Sequence, residues 1–154
     1  GRHEFSDLEA GEHARLVTAT GELEGMAAAI SRDLAPLVAE FETAKIVLSK
    51  ETAELLERLL QAIEESARSA LHALVERDEQ AAQAVLAKRG EIAGLTAEVQ
   101  QLQAARLAQD DPDRFTKHRL QIELLDRLRR IYSVSEHMAI SVLPRSLLAG
   151  DLYS

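Results

Sequence analysis

The stretch LLDRLRRIYSVSEHM, residues 124–138, decides the fold class. Its core-face positions alternate steps of four and three, which places them on one face of a helix, and the series runs Leu124, Leu128, Ile131, Ser135, Met138 and Val142. Pro144 ends the segment, because proline does not continue a helix. The helix carries three arginines in four positions. They could bind phosphate or nucleic acid, lie beside a metal cluster, or neutralise acids on a neighbouring helix.

The first part of the chain shows the same periodicity. Its stripe comprises Leu16, Thr20, Leu23, Ala27, Ile30, Leu34, Leu37 and Phe41, and we expect it to face the core of a helix bundle. Pro36 lies inside this stripe. Since proline removes a backbone donor and clashes with the preceding turn, the sequence predicts either a kink near residues 32–36 or a helix that restarts there.

Two further helices occupy the middle of the chain. The second extends from about Ser49, a plausible N-cap, to Arg77. The third extends from about Glu79 to Leu107, with Asp78 as its N-cap. Gly90 and Gly94 lie inside the third helix, at a cost of roughly 1 kcal/mol each relative to alanine, and this cost suggests a close approach of another helix.

The last helix follows a short polar connection, QDDPDR, residues 109–114. Asp111 suits its N-cap and Pro112 its first helical position. The sequence therefore predicts an all-α domain, an antiparallel bundle of four long helices over residues 8–144. Residues 1–7 and 145–154 are predicted to be terminal tails.

Composition excludes several classes of function. The chain has 154 residues, 46% hydrophobic and 29% charged, which suits one domain of packed helices. It has no cysteine, so thiolate metal sites and cysteine nucleophiles are excluded. The net charge of −8 disfavours nucleic acid as a partner. No apolar run approaches the ~20 residues that cross a bilayer, and no signal peptide is visible.

The sequence offers no convincing catalytic or metal site. A di-iron bundle needs glutamate three residues before histidine on two helices, and no histidine here has that neighbour. Glu9 and His13 share a helix face, but two ligands do not make a metal site. His72, His118 and His137 are more typical of helix boundaries than of ligands. With no glycine-rich phosphate loop and no nucleophile elbow, we expect neither an enzyme nor a cofactor.

Spacing predicts partners for the arginines of the last helix. Glu123 lies four residues before Arg127, and Asp126 lies four before Arg130 and three before Arg129. Residues 113–145 carry seven Lys or Arg against four Asp or Glu, whereas residues 1–112 carry eleven against twenty-one. We therefore expect a basic helix packed among acidic ones, with Arg130 paired either to Asp126 or to a residue on another helix.

Two segments together resemble a known family. LHALVERDEQAAQAVLAKRGEI (residues 71–92) and IELLDRLRRIYSVSEHMAISVLP (residues 122–144) resemble a PhoU-like helical repeat. More narrowly, they are similar to the C-terminal cytosolic domain of bacterial sodium/phosphate cotransporter-family proteins. GELEGMAAAI (residues 21–30) looks like a degenerate copy of the same motif, and the resemblance covers about residues 14–144.

The family resemblance implies metal clusters held by acid-x-x-x-acid pairs, and this chain departs from that pattern. The matching positions in the last helix are Arg129 and Ser133, and those in the first helix are Glu24 and Ala28. In the third helix only Glu91 keeps an acid. A metal cluster needs several converging oxygen or nitrogen ligands. Because these positions lack the acids, we expect the family fold without its metal cluster.

The resemblance implies a non-enzymatic regulatory or interaction domain of a sodium-dependent phosphate transporter, on the cytoplasmic side of the inner (plasma) membrane. Its expected partner is the membrane domain of the same transporter or another protein, or a second copy in a homodimer. Arg127, Arg129 and Arg130 are the predicted interaction residues. The alternatives are a stand-alone PhoU-like regulator of phosphate uptake and an unrelated four-helix sensor or scaffold bundle that dimerises through an exposed apolar stripe.

Overall fold

A computed structural model describes residues 2–144, and every regular element in that range is helical. In chain order the elements are α1 (Arg2–Ala28), a π-helical turn (Ala29–Leu34), α2 (Ala35–Thr43), α3 (Lys50–Glu76), α4 (Glu79–Ala87), α5 (Arg89–Leu107) and α6 (Arg114–Val142). The predicted all-α class is confirmed over this range. Residues 2–7 belong to α1 instead of forming a tail, and residues 145–154, predicted as the other tail, lie outside the described residues.

The N-caps of two helices follow the sequence prediction. The Ser49 hydroxyl accepts a hydrogen bond from the Thr52 backbone N–H at 3.1 Å. The Asp78 carboxylate accepts from the backbone N–H groups of Gln80 and Ala81 at 3.0 and 3.2 Å. Both side chains thereby satisfy donors that the first helical turn leaves without carbonyl partners.

The predicted start of the last helix is wrong by two residues. Asp113 is the N-cap of α6, and Pro112 lies in the turn before it. The Asp111 carboxylate accepts from the Asp113 N–H at 2.9 Å, and the Asp111 carbonyl accepts from the Arg114 N–H at 3.1 Å. Asp111 therefore closes a turn of its own, as aspartate often does, and α6 begins only after that turn.

A π-helical turn accommodates Pro36. It ends at Leu34, and a new α-helix begins at Ala35 with the proline in its first turn. A proline is tolerated there because the first turn of a helix has N–H groups that need no intrahelical acceptor. Leu34 and Ala35 both keep right-handed helical backbone angles, so the change from π-helix to α-helix occurs within one continuous helical segment, at the place where a kink or a restart is predicted.

The predicted third helix is divided at Lys88 into α4 and α5. The Lys88 N–H donates to the Val85 carbonyl, three residues back, at 3.2 Å. The Tyr132 hydroxyl donates to the same carbonyl at 2.8 Å. A side chain that bonds to a helix carbonyl interrupts the regular ladder, which explains a break that periodicity did not predict.

The core lies between α3 and α6, which pack against each other. Helices α4 and α5 contact both of them, and α1, the π-helical turn and α2 contact α6. The largest fully buried apolar side chains are Leu59, Val85, Val99, Leu120, Leu128 and Met138. A Cβ atom built at Gly90 or Gly94 meets nothing within 4 Å, so the close helix approach expected at these glycines is wrong.

Candidate interaction site

Arg130 joins the last helix to the π-helical turn. Its Nη1 lies 2.8 Å from Oδ2 of Asp33, and the two side chains are 55% and 27% exposed. Asp33 lies on another helical segment, so the structure selects the second of the two partners predicted for Arg130. An exposed pair of this kind stabilises a fold by only ~0–1 kcal/mol, so its main effect is to fix the position of one helix against another.

Arg119, about three turns before Arg130 on the same face of α6, makes a second contact between helices. Its guanidinium lies 2.8 Å from Glu40 on α2 and 3.2 Å from Glu123 on its own helix. Hydrogen bonds that Arg119 donates to Glu40 first, and then to Glu123, raise the pKa of Arg119 above its ordinary value. Glu123 therefore contacts Arg119 and not Arg127, so the predicted pair Glu123–Arg127 is wrong.

The other two arginines have different surroundings. Arg127 is half-buried, and its Nε has no hydrogen-bond partner among the described residues. Arg129 is exposed and borders a cavity of about 280 Å³ between α3, α5 and α6. Arg89 and Glu136, which contact each other, border the same cavity. The structure therefore distributes the three arginines over three environments instead of gathering them in one binding site.

The apolar stripe of the first helix faces away from the core. Leu16, Leu23 and Ile30 are 59%, 40% and 45% exposed. Thr20 and Ala27, which lie between them, are also exposed. We call these five residues the α1 stripe. The expectation of a core-facing stripe is wrong for these five residues, because α1 carries apolar residues on more than one side, whereas the last three residues of the predicted stripe do pack against the core.

The residues that fix the first helical segment to the rest of the molecule lie beside the α1 stripe or follow it in the chain. Met26, Ala29 and Leu37 are buried, and Ala19, Leu34 and Phe41 pack partly against the core. At ~100° per residue, Met26 and Ala29 lie roughly a quarter-turn or more from the centre of the α1 stripe. The α1 stripe is therefore a second apolar face, one that the residues described here leave uncovered.

The positions at which the family resemblance would place metal ligands stand apart. Among residues 2–144, no three His, Asp or Glu side chains come close enough together to hold a metal ion. Glu91 contacts Lys88, with Oε2 3.3 Å from Nζ, and Glu65 approaches the same Nζ to 2.9 Å. Hydrogen bonds that Lys88 donates to Glu65 first, and then to Glu91, raise the pKa of Lys88. Glu9 and His13 are both exposed on α1.

A polar cavity that was not predicted from the sequence lies at one end of the bundle. Gln103 and Gln121 are almost fully buried there, and Arg106, Lys117 and His118 also line it. The sequence does contain a signal for this cavity, since each glutamine occupies a core-face position. Gln103 continues the series Ile92, Leu95, Val99, and Gln121 precedes Leu124 and Leu128. A polar residue in such a series marks a buried hydrogen-bonding site.

Comparison with known proteins does not place the chain in a family: no protein-family model, curated protein or solved structure matches it. The similarity to PhoU-like proteins therefore stays a prediction that depends on the segments quoted above. Within residues 2–144, no helix is long and apolar enough to cross a membrane.

Proposed function

We propose that this chain is a non-enzymatic regulatory or interaction domain that acts by contact with another protein surface. The observation that carries the proposal is the α1 stripe. Scattered exposed apolar side chains are ordinary on protein surfaces, but a contiguous apolar face is typical of a protein–protein interaction site. The steps of four and three that relate Leu16, Thr20, Leu23, Ala27 and Ile30 suit a second helix packed along the stripe.

The architecture that we propose is an antiparallel, PhoU-like bundle of four long helices. Asp33 contacts Arg130, and Glu40 contacts Arg119. From the first of these contacts to the second, the residue number rises in the first helical segment and falls in α6. The two segments therefore run in opposite directions, which supports an antiparallel pair. The connection between α3 and α4 is only two residues long, a length that favours adjacent antiparallel helices.

The membrane context of the proposal rests on the family resemblance. Residues 71–92 and 122–144 support a domain on the cytoplasmic side of a sodium-dependent phosphate transporter, where it would regulate transport by contact with the membrane domain. The complete coding sequence tests this directly. Upstream apolar spans of ~20 residues would support the transporter, whereas a complete gene without them would favour a stand-alone regulator of phosphate uptake.

A dimerising scaffold or sensor is the second candidate, and the α1 stripe favours it specifically. A stripe with steps of four and three is complementary to a copy of itself across a two-fold axis. We therefore expect the isolated protein to pair through this face.

Disulfide cross-linking tests the contact, because the natural chain has no cysteine. Thr20→Cys places a thiol on the α1 stripe. Gly21→Cys is the matched control, since it lies ~100° further round the helix and a Cβ there meets no atom within 4 Å. Under mild oxidation we expect dimers from Thr20→Cys far faster than from Gly21→Cys. Equal rates for the two variants would contradict pairing through the stripe.

A further inference from the structure

The polar cavity lies where three parts of the fold meet. The connection before α3, the end of α5 and the beginning of α6 together enclose about 50 Å³. The residues that matter for its chemistry are Gln103 and Arg106 from α5, Arg114, Lys117 and His118 from α6, and Asp111 from the turn before α6. Residues as far apart in the chain as Val47 and Gln121 thus line one cavity.

The lining of the polar cavity is rich in hydrogen-bond donors without acceptors. Among the described residues, six buried side-chain nitrogens have no hydrogen-bond partner, and four of them belong to this lining: Gln103 Nε2, Arg106 Nε, Arg114 Nε and His118 Nδ1. Gln103 is only 4% exposed. Buried donors are normally paired, since an unpaired one loses its hydration without replacement. The Gln103 amide nitrogen and the Nε–H groups of Arg106 and Arg114 can only donate, so these three point to an acceptor that binds among them.

The charges of the lining favour an anionic acceptor. Arg106, Arg114 and Lys117 contribute three positive charges, and Asp111 is the one carboxylate among the residues that line the cavity. Lys117 lies 2.8 Å from Asp111 and lowers the pKa of that carboxyl, so the negative charge is already balanced. Arg114 contacts the Gln109 carbonyl at 3.3 Å and Asp110 at 3.6 Å through Nη1. Those contacts leave its Nε available.

We propose that the polar cavity binds a free tetrahedral oxyanion of the phosphate or sulfate class. Guanidinium and amide donors are the groups that recognise such oxygens. A water molecule needs about 10–15 Å³ of such a cavity, so 50 Å³ holds a few waters or one small oxyanion, and not a nucleotide. The inference depends on the unpaired donors and does not depend on the function proposed above.

NMR of arginine side chains tests the proposal on the full chain. Inorganic phosphate and sulfate are titrated against chloride at constant ionic strength, while the Nε–H signals of Arg106, Arg114 and Arg130 are followed. We expect the Arg106 and Arg114 signals to shift with saturation at a single site, and the Arg130 signal to stay in place. Absence of any shift up to tens of millimolar phosphate, or a shift of Arg130 alone, would overturn the proposal.

Variants assign the site by calorimetry. Arg106→Gln and Gln103→Leu should each weaken phosphate binding by about tenfold or more, because each removes a donor to a charged ligand. Gln103→Leu should fold at least as well as the natural protein, since it removes an unpaired buried amide, and its melting temperature checks this. Arg130→Gln, outside the cavity, should bind phosphate unchanged. Full affinity in both cavity variants would refute the site.

A phosphoserine peptide, titrated in parallel, separates a free ion from a phosphorylated protein. We expect free phosphate to bind and the peptide to bind more weakly, because the cavity is small. Binding of the peptide without binding of free phosphate would overturn the assignment.

Discussion

Tyr132 provides a quantitative test of the packing between α4 and α6. Its side chain is 5% exposed, and its hydroxyl donates to the Val85 carbonyl at 2.8 Å. Burial raises the pKa of Tyr132 to about 12, from an ordinary value of 10.0. The negative charge of Glu136 adds to this effect, and the positive charge of Arg89 opposes it.

The sign of the pH dependence follows from the raised pKa. The folded protein prefers neutral tyrosine more strongly than the unfolded chain does, so the stabilisation is complete below pH 10 and is lost as the pH rises through about 12. A pKa difference between 10 and about 12 corresponds to about 3 kcal/mol at full ionisation. Tyr132→Phe should not lose this stability at alkaline pH, because phenylalanine has no hydroxyl group to ionise. The same variant should also cost about 1 kcal/mol near neutral pH, because it removes one hydrogen bond.

Absorbance near 295 nm measures the ionisation directly. The chain has two tyrosines and no tryptophan, so Tyr153→Phe leaves Tyr132 as the one phenol that titrates. We expect a native midpoint near pH 12 and a midpoint near pH 10 in strong denaturant. Circular dichroism on the same samples reports whether the helices persist. Ionisation near pH 10 with the helices intact would refute the burial and the hydrogen bond inferred for Tyr132.

Two further predictions concern stability, and chemical denaturation measures both. Leu59→Ala should lower the free energy of unfolding by ~2–5 kcal/mol, because Leu59 is 1% exposed. Leu60→Ala, at a neighbouring position that is 42% exposed, should lower it much less. Equal losses in the two variants would contradict the assigned core face of α3. Ser49→Ala should cost ~1 kcal/mol through loss of the α3 N-cap, and Ser49→Asp should restore most of it; no loss in the alanine variant would show that the cap is not needed.

The two N-cap predictions, which depend only on neighbouring residues, are confirmed. Ser49 and Asp78 cap helices through hydrogen bonds to residues two or three positions ahead, so composition and spacing suffice to predict them. Pro36 likewise acts on its own turn. At Asp111 the same logic failed, because an aspartate can close a turn or cap a helix, and the sequence does not say which.

Features that depend on tertiary packing were not predictable in the same way. The first helix has more than one apolar side, and contact with α6 buries Met26 and Ala29 while the α1 stripe stays exposed. The partner of Arg130 lies 97 positions away in the chain, so spacing within α6 suggested Asp126 instead. The break at Lys88 arises from a tyrosine on another helix.

The polar cavity shows what sequence reasoning can and cannot supply. Gln103 and Gln121 on core faces signalled a buried polar site. These glutamines did not predict that the lining is basic, because Arg106 and Lys117 come from two different helices and the connection before α3 closes the space. Only the packing of these three parts places the donors together.

Sedimentation velocity of the isolated protein tests the central claim in its most direct form, that the α1 stripe is a contact surface at which two copies of this chain pair. We compare the natural chain with Leu23→Glu on the stripe and with Gly21→Glu as the control beside it. The account predicts a monomer–dimer equilibrium that shifts with concentration, is abolished by Leu23→Glu and survives Gly21→Glu. A natural chain that stays monomeric at every accessible concentration, or a dimer that is indifferent to Leu23→Glu, would contradict it.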